Sequence, residues 1–161
     1  MPIDPQQFRS VMSRFATGIT VVTTALGNDR FGITVNAFCS VSLDPPLVLI
    51  CIEKKSKVHD ALIESGFFAA NILSADQMDI SSCFASNTGQ RFEQFCGQTT
   101  LTAITGAPIL QNTLGYVDCR IVAAHPGGDH TIIVGQVEAG DAVEGDPLLY
   151  FGSRYMHRSG E

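Results

Sequence analysis

The spacing of β-forming runs constrains this chain more than any other feature. Ile19 to Ala25, Phe31 to Val35, Leu47 to Ile52, Phe68 to Ile72, Tyr116 to Ala124, Thr131 to Ala142 and Leu148 to Phe151 are extended in character, with only a few short helical patterns among them. Strands do not alternate with long helices, and no G-x-G-x-x-G follows a strand, which argues against a doubly wound parallel sheet. The predicted class is mainly β with short helices, an antiparallel sheet closed or half closed into a barrel.

Local signals refine this. Asp4 and Pro5 read as the N-cap and first residue of a helix whose apolar stripe, Phe8, Val11, Met12 and Phe15, carries it to about Gly18. Gly27-Asn28-Asp29 is a hairpin turn, and Ala37 to Ser42 is expected to continue the strand that begins at Phe31. Leu47 to Ile52, apolar at every position and preceded by Pro45-Pro46, is expected to be central and covered on both faces. Ser56 caps a helix to about Glu64, stopped by Ser65-Gly66, and Phe68, Ala70 and Ile72 alternate as in a half-buried strand. Ser74-Ala75-Asp76-Gln77 is a capping-box pattern opening a helix toward Phe84.

At 161 residues the chain is long enough for one domain, taken as 1–161, and no internal repeat or linker divides it. Hydrophobic residues make up 45% and charged residues 16%, an apolar excess that suits burial of some surface against another subunit. A net charge of -6 disfavours nucleic acid as a partner. The longest apolar run falls far short of a bilayer span and the N-terminus has no export signal, so neither membrane insertion nor secretion is expected. The cysteines at 39, 51, 83, 96 and 119 include no C-x-x-C and read as reduced thiols of a cytoplasmic protein. His59, His125, His130 and His157 lack zinc-site spacing, so no metal is expected.

Three groups of residues can carry chemistry. Thr34, Asn36 and Ser40 put small polar side chains along a strand, facing either water or a polar ligand. Lys54, Lys55 and Lys57 gather three of the ten cationic residues around Ser56, at a helix start where amide donors and the macrodipole favour an anion; a solvated basic loop is the alternative. Gly128-Asp129-His130 sets an imidazole at a turn just as a strand begins, with Asp129 able to fix its tautomer; a purely structural turn is the alternative.

With T-V-N-A-F at 34–38 followed by S-V-S-L-D-P-P, G-D-H-T-I-I-V-G at 128–135, and F-A-T-G at 15–18, the chain resembles the flavin reductase family of the FMN-binding split-barrel fold, the reductase component of two-component flavin-dependent monooxygenases. The resemblance implies FMN or FAD as cofactor and NAD(P)H as co-substrate. It implies that Thr34, Val35, Asn36 and Ala37 border the isoalloxazine, with Cys39 and Ser40 toward the ribityl phosphate. Lys55 and Ser56 then meet the phosphate, and Phe84 and Arg91 lie near the cofactor. His130 stands on the nicotinamide side with Asp129 shaping its turn, and Tyr155, with Tyr150, closes the pocket by stacking. The flavin would lie where two protomers meet, and an oxygenase would receive it once reduced. A flavin-binding electron carrier or sensor, which holds FMN without turning over NAD(P)H, is the alternative.

Overall fold

The computed structural model describes residues 1–156 and runs, in chain order, α1 (Pro5–Met12), β1 (Thr17–Gly18), β2 (Thr20–Leu26), β3 (Asp29–Val35), β4 (Phe38–Leu43), β5 (Pro46–Glu53), α2 (Lys57–Ser65), β6 (Phe67–Ile72), α3 (Met78–Ala85), α4 (Gly89–Phe92), a single 3-10 turn (Phe95–Gly97), β7 (Thr100–Leu101), β8 (Ile109–Leu110), β9 (Gly115–Gly127), β10 (His130–Ala142), β11 (Leu149–Phe151) and β12 (Arg154–Met156). Seven strands form one antiparallel sheet in the order β3-β2-β6-β9-β10-β5-β4, while β1, β11 and β12 form a small second sheet. The outermost strands of the large sheet, β3 and β4, are consecutive in the chain and joined only by Asn36 and Ala37. Such a link reaches about 10 Å at full extension, so the two edges must meet at that corner and the sheet must curl. Cys51 N donates to Ala37 O at 3.1 Å, carrying the β4–β5 pairing one residue into the link. The fold is a split antiparallel barrel, as the strand pattern predicts.

The side chains of β2 and β6 divide between two cores. Val22, Phe68 and Ala70 face the barrel interior with Val35, Val48, Ile50, Ile52 and Ile133, and α2 adds Val58 and Leu62. Val21, one residue from Val22, belongs to an outer cluster with Leu73, Phe84, Phe95 and Leu148. This is period-two alternation with both faces buried. The threonines of β2 are buried too, and each hydroxyl finds a carbonyl: Thr20 donates to Val35 O at 2.8 Å, Thr24 to Phe67 O at 2.9 Å, and Thr23 to Pro108 O. Asn71, fully buried on β6, donates to Val21 O at 2.9 Å and accepts from Leu110 N at 2.8 Å, tying β8 to the sheet.

Several sequence expectations change. The first helix stops at Met12, not near Gly18, because Thr17 and Gly18 find strand partners in Tyr150 and Leu149, and none of its residues is buried. The strand from Phe31 ends at Val35, and residues 38–43 are a separate strand at the opposite edge, so Thr34 and Ser40 do not share a face. The Leu47–Ile52 run is second from the edge; Val48, Ile50 and Ile52 are buried while Leu47, Leu49 and Cys51 are half-buried. It is Phe68 to Asn71 that is covered on both faces. In the capping-box pattern only the Gln77 half forms, accepting from Ser74 N at 3.0 Å, because Ser74 Oγ donates to Asp76 instead. Cys83 and Cys96 form a disulfide where reduced thiols are expected, leaving Cys39, Cys51 and Cys119 free. His157 lies outside the described residues. Among the described residues no group of three or more His, Cys, Asp or Glu side chains could hold a metal ion, and no helix is long and apolar enough to cross a membrane.

Asn71→Ala leaves the buried Leu110 N without its acceptor and removes the side-chain bond to Val21 O. The expected loss is about 2–4 kcal/mol, read as a Tm fall of roughly 5–15 °C for a chain of this size.

Candidate functional site: a groove along the barrel seam

Three surface clefts are joined in series through shared lining residues. The largest, about 800 Å³, is polar and is lined by Thr34, Lys55, Ser56, Lys57, Asn87 and Arg91 among others. The next shares Thr34 and Ala85 and adds Ile19, Asn36, Tyr150 and Tyr155. A third shares Ile19 and Asn36 and runs on through Phe15 to Thr20 and Phe38. Together they make one groove with a cationic end and a more apolar end, following the seam where the barrel edges meet.

At the cationic end, Ser56 is the N-cap of α2 and its Oγ accepts from Val58 N at 3.2 Å, so the first turn of that helix opens toward Lys55 and Lys57. Phe92 lies between two cations, with Lys57 Nζ 5.0 Å and the Arg91 guanidinium 4.7 Å from its ring centre. Arg91 is only 5% exposed. Its Nε donates to Gly32 O and its Nη1 to Ser86 O, both at 2.8 Å, but its buried Nη2 has no partner among the described residues. Burial pulls the guanidinium down from its ordinary value. A donor fixed by two bonds and left with a third N–H unsatisfied suits an anionic ligand. Glu53 and Glu93 also line this cleft and can accept from hydroxyl groups.

At the other end, α3 joins the two walls through one residue. Thr34 Oγ1 donates to Ser81 O at 2.6 Å, and Ser81 Oγ shares a 2.8 Å hydrogen bond with Tyr155 Oη. Tyr155 packs edge-on against Tyr150, their centroids 5.8 Å apart. Asn36 is exposed at the junction of the clefts.

The groove thus gathers Thr34, Asn36, Lys55, Ser56, Arg91 and Tyr155. Val35 turns inward to the barrel core and the Ala37 carbonyl accepts from Cys51 N beside the β4–β5 ladder, so neither lines any of the three clefts. Cys39 and Ser40 are exposed on β4 and line none of the three clefts. Phe84 is fully buried against Gly32, where a Cβ would stand 2.4 Å from its ring, and the neighbouring Ala85 is the one that lines the groove. Sequence reading did not single out Asn87 and Thr88. The only available signal was their polar, glycine-bounded placement just after α3.

His130 lies outside the clefts but beside one of them. It pairs in register with Glu53, which lines the polar cleft, and Lys54 binds its turn through Lys54 N to Asp129 O at 2.9 Å and Nζ to Gly128 O at 2.7 Å. Gly128 takes the positive φ of 70° that this two-residue turn needs. His130 Nδ1 meets Asp129 Oδ1 at 2.7 Å, with both side chains open to solvent. That hydrogen bond, with the nearby His130 charge, holds the Asp129 carboxyl below its ordinary value.

A polar groove ending at a helix N-terminus, on a split barrel with few helices, defines a class of nucleotide-binding barrel proteins, and comparison with known proteins narrows the class. The flavin reductase like domain model matches residues 12–159, and the chain belongs to the flavin reductase family. It is 43% identical over 150 residues to the FMN reductase (NADH) SmoA of Agrobacterium fabrum, covering 93% of this chain and 84% of that one. It is 39% identical over 156 residues to the reductase subunit HsaB of a flavin-dependent monooxygenase from Mycobacterium tuberculosis, covering 95% of this chain and 82% of that one. Among solved structures, the NADH:FAD oxidoreductase SgcE6 of Streptomyces globisporus C-1027, in complex with NAD and FAD fragments, superposes with a TM-score of 0.89 at 34% identity, covering 99% of this chain and 97% of that one.

A carboxyl whose folded-state pKa is depressed contributes stability above its unfolded value of about 3.9 and loses it as pH falls through the folded value. The Asp129 Cγ resonance is therefore expected to titrate below that of an unperturbed Asp, and His130→Ala to move its midpoint back up. Coincident midpoints in the two proteins would refute the coupling.

Proposed function

We propose that the seam groove binds a flavin, its phosphate at Lys55, Ser56 and Arg91 and its ring beside Thr34, Asn36, Tyr150 and Tyr155. On this reading the chain is an NAD(P)H-dependent flavin reductase that supplies reduced flavin to a separate monooxygenase component. The observation that carries it is Arg91, whose buried Nη2 has no partner among the described residues and which lines, with the α2 N-cap Ser56, the cleft that continues into the Thr34–Tyr155 wall. Relatives named as NADH-dependent FMN reductase and as a monooxygenase reductase subunit support the activity.

A bound flavin supplies the hydride acceptor. The protein's own residues position and neutralise. Lys55 and Arg91 offset phosphate charge, and the α2 amide donors orient it. Thr34 and Tyr155 are held by Ser81, so the walls beside the ring are set before ligand arrives, which lowers the ordering cost of binding. Asn36, exposed at the junction, offers its carboxamide to the polar edge of a ring. Asp129 accepts from His130 Nδ1, which leaves Nε2 of the neutral imidazole as an acceptor for a carboxamide N–H such as that of nicotinamide. A flavin held there would take hydride directly from a nicotinamide, so the chain's own residues need supply neither a paired carboxylate nor a covalent nucleophile.

On the same reading a second copy of the chain covers the exposed apolar residues Phe8, Val11, Phe15, Val41 and Leu43. Phe15 also lines the groove, so a homodimer would complete the site.

Steady-state oxidation of NADH and NADPH with FMN, FAD and riboflavin tests the activity. NAD(P)H consumption that rises with added free flavin is expected; tight FMN without turnover would mark an electron carrier instead. Lys55→Ala is expected to weaken FMN about tenfold, the value of one charged contact of about 1.4 kcal/mol, and to leave riboflavin within twofold. Equal losses for both ligands would remove the phosphate assignment. His130→Ala is expected to lower kcat/KM for the nicotinamide nucleotide about tenfold or more while FMN affinity holds; an unchanged kcat/KM would defeat its role.

A further inference from the structure

The disulfide between Cys83 and Cys96 is not needed for the chemistry above, yet it clamps one wall of the groove. It joins the α3 turn before Ala85 to the 3-10 turn at Phe95–Gly97. The segment it closes carries more than half of the residues that line the cationic cleft, including Asn87, Thr88, Arg91 and Phe92. Apart from the crosslink, the segment is held by the Arg91 bonds to Gly32 O and Ser86 O, by the edge-to-face Phe84 and Phe95 rings, 5.0 Å apart, and by the Arg30 guanidinium 4.6 Å over Phe95. Its closing end is conformationally unfavourable. Phe95 and Cys96 both adopt left-handed backbone, φ 48° and 51°, which side-chain-bearing residues rarely keep unless the surroundings impose it. Cys83 is half-buried while Cys96 is buried, so the Cys83 side is the more open approach to the bond.

We propose that Cys83 and Cys96 form a reversible thiol–disulfide site whose oxidation state sets the geometry of the cationic cleft. Reduction takes two electrons and two protons from an external dithiol: the Sγ–Sγ bond breaks, two protein thiols form and the dithiol leaves as its own disulfide. In the reverse direction a peroxide takes two electrons and two protons from the thiols and leaves as water. With the bond open, the 95–96 turn relaxes toward ordinary backbone and segment 84–95 loosens, displacing Arg91 and Phe92. Cys119 does not compete in exchange, because burial and the neighbouring Asp118 and Glu138 push its thiol up to about 12.

The predicted control of flavin affinity rests on the flavin reading; the site itself does not. The test uses the full chain, oxidised or reduced with a phosphine, and the Cys83→Ser/Cys96→Ser double variant. Alkylation under denaturing conditions followed by mass measurement is expected to count three thiols in the oxidised protein and five after reduction. Without flavin, amide hydrogen exchange over 84–95 is expected to be about fivefold faster after reduction, with β9 and β10 unchanged. FMN Kd is expected to rise about three- to tenfold on reduction of the wild type and not at all on reductant treatment of the double variant. Five thiols in protein never exposed to reductant, or equal exchange over 84–95 in both states, overturns the site. Faster exchange with an unchanged Kd overturns its control of the cleft. If FMN binds neither state, the flavin reading falls while exchange still decides the site.

Discussion

The two-residue connection Asn36-Ala37 is the constraint on which the architecture rests. It ties together the first and last strands of a seven-stranded sheet, and a sheet of that width can satisfy so short a tie only by curling on itself. Closure stays incomplete, and the seam it leaves has ladder groups on both sides and no strand to fill it. The groove follows that seam. Thr34 and Asn36 face it because they precede and begin the link, and Lys55 and Ser56 reach it because β5 lies one strand in from the β4 edge.

Curling also creates the interior into which Val22, Phe68, Ile50 and Ile133 pack, while the outer surface of β2 is covered by α3 and the 95–97 turn and that of β6 by the Ala107–Leu110 stretch. The wall between the two cores is rigid because its polar atoms are matched inside it, with threonine hydroxyls and the Asn71 amide bonded to carbonyls and amides of neighbouring segments. Ser81, held on the outer side, then carries that rigidity to Thr34 and Tyr155. The site is therefore an extension of core packing, as expected for a protein whose work is to position two rings.

Local chemistry was legible where it decided the structure. The Gly27-Asn28 and Gly128-Asp129 turns and the Ser56 cap stand where their residue types put them, and so do the barrel class and the flavin reductase family. What failed to show was long-range pairing. Thr34 to Ser40 reads as one continuous strand because nothing in its alternation marks the point where the chain changes partner from β2 to β5. Leu47 to Ile52 looks more central than Phe68 to Asn71, since an apolar run signals burial and an asparagine argues against it; only the carbonyl and amide supplied from residues far away in sequence make Asn71 a core residue. Thr17 and Gly18 read as a helix end until Tyr150 and Leu149 are brought beside them. The cysteine pair was invisible for the same reason: it depends on the segment between the two residues folding back on itself. Among the site residues, the lysines, the serine cap and the turn histidine carried their own signals, whereas Asn87 and Thr88 matter only through where α3 delivers them.

Gly32 has a consequence for how such a groove can diverge. Its missing side chain lets the Phe84 ring lie directly on β3, and its carbonyl anchors the buried guanidinium of Arg91. The thickness of one methyl group at this position therefore gauges how near the whole 84–95 wall stands to the barrel. Substitutions there would act as a shim, shifting the far bank of the channel without altering any residue that faces its contents, and so offer a route to ligands of different girth on an unchanged scaffold.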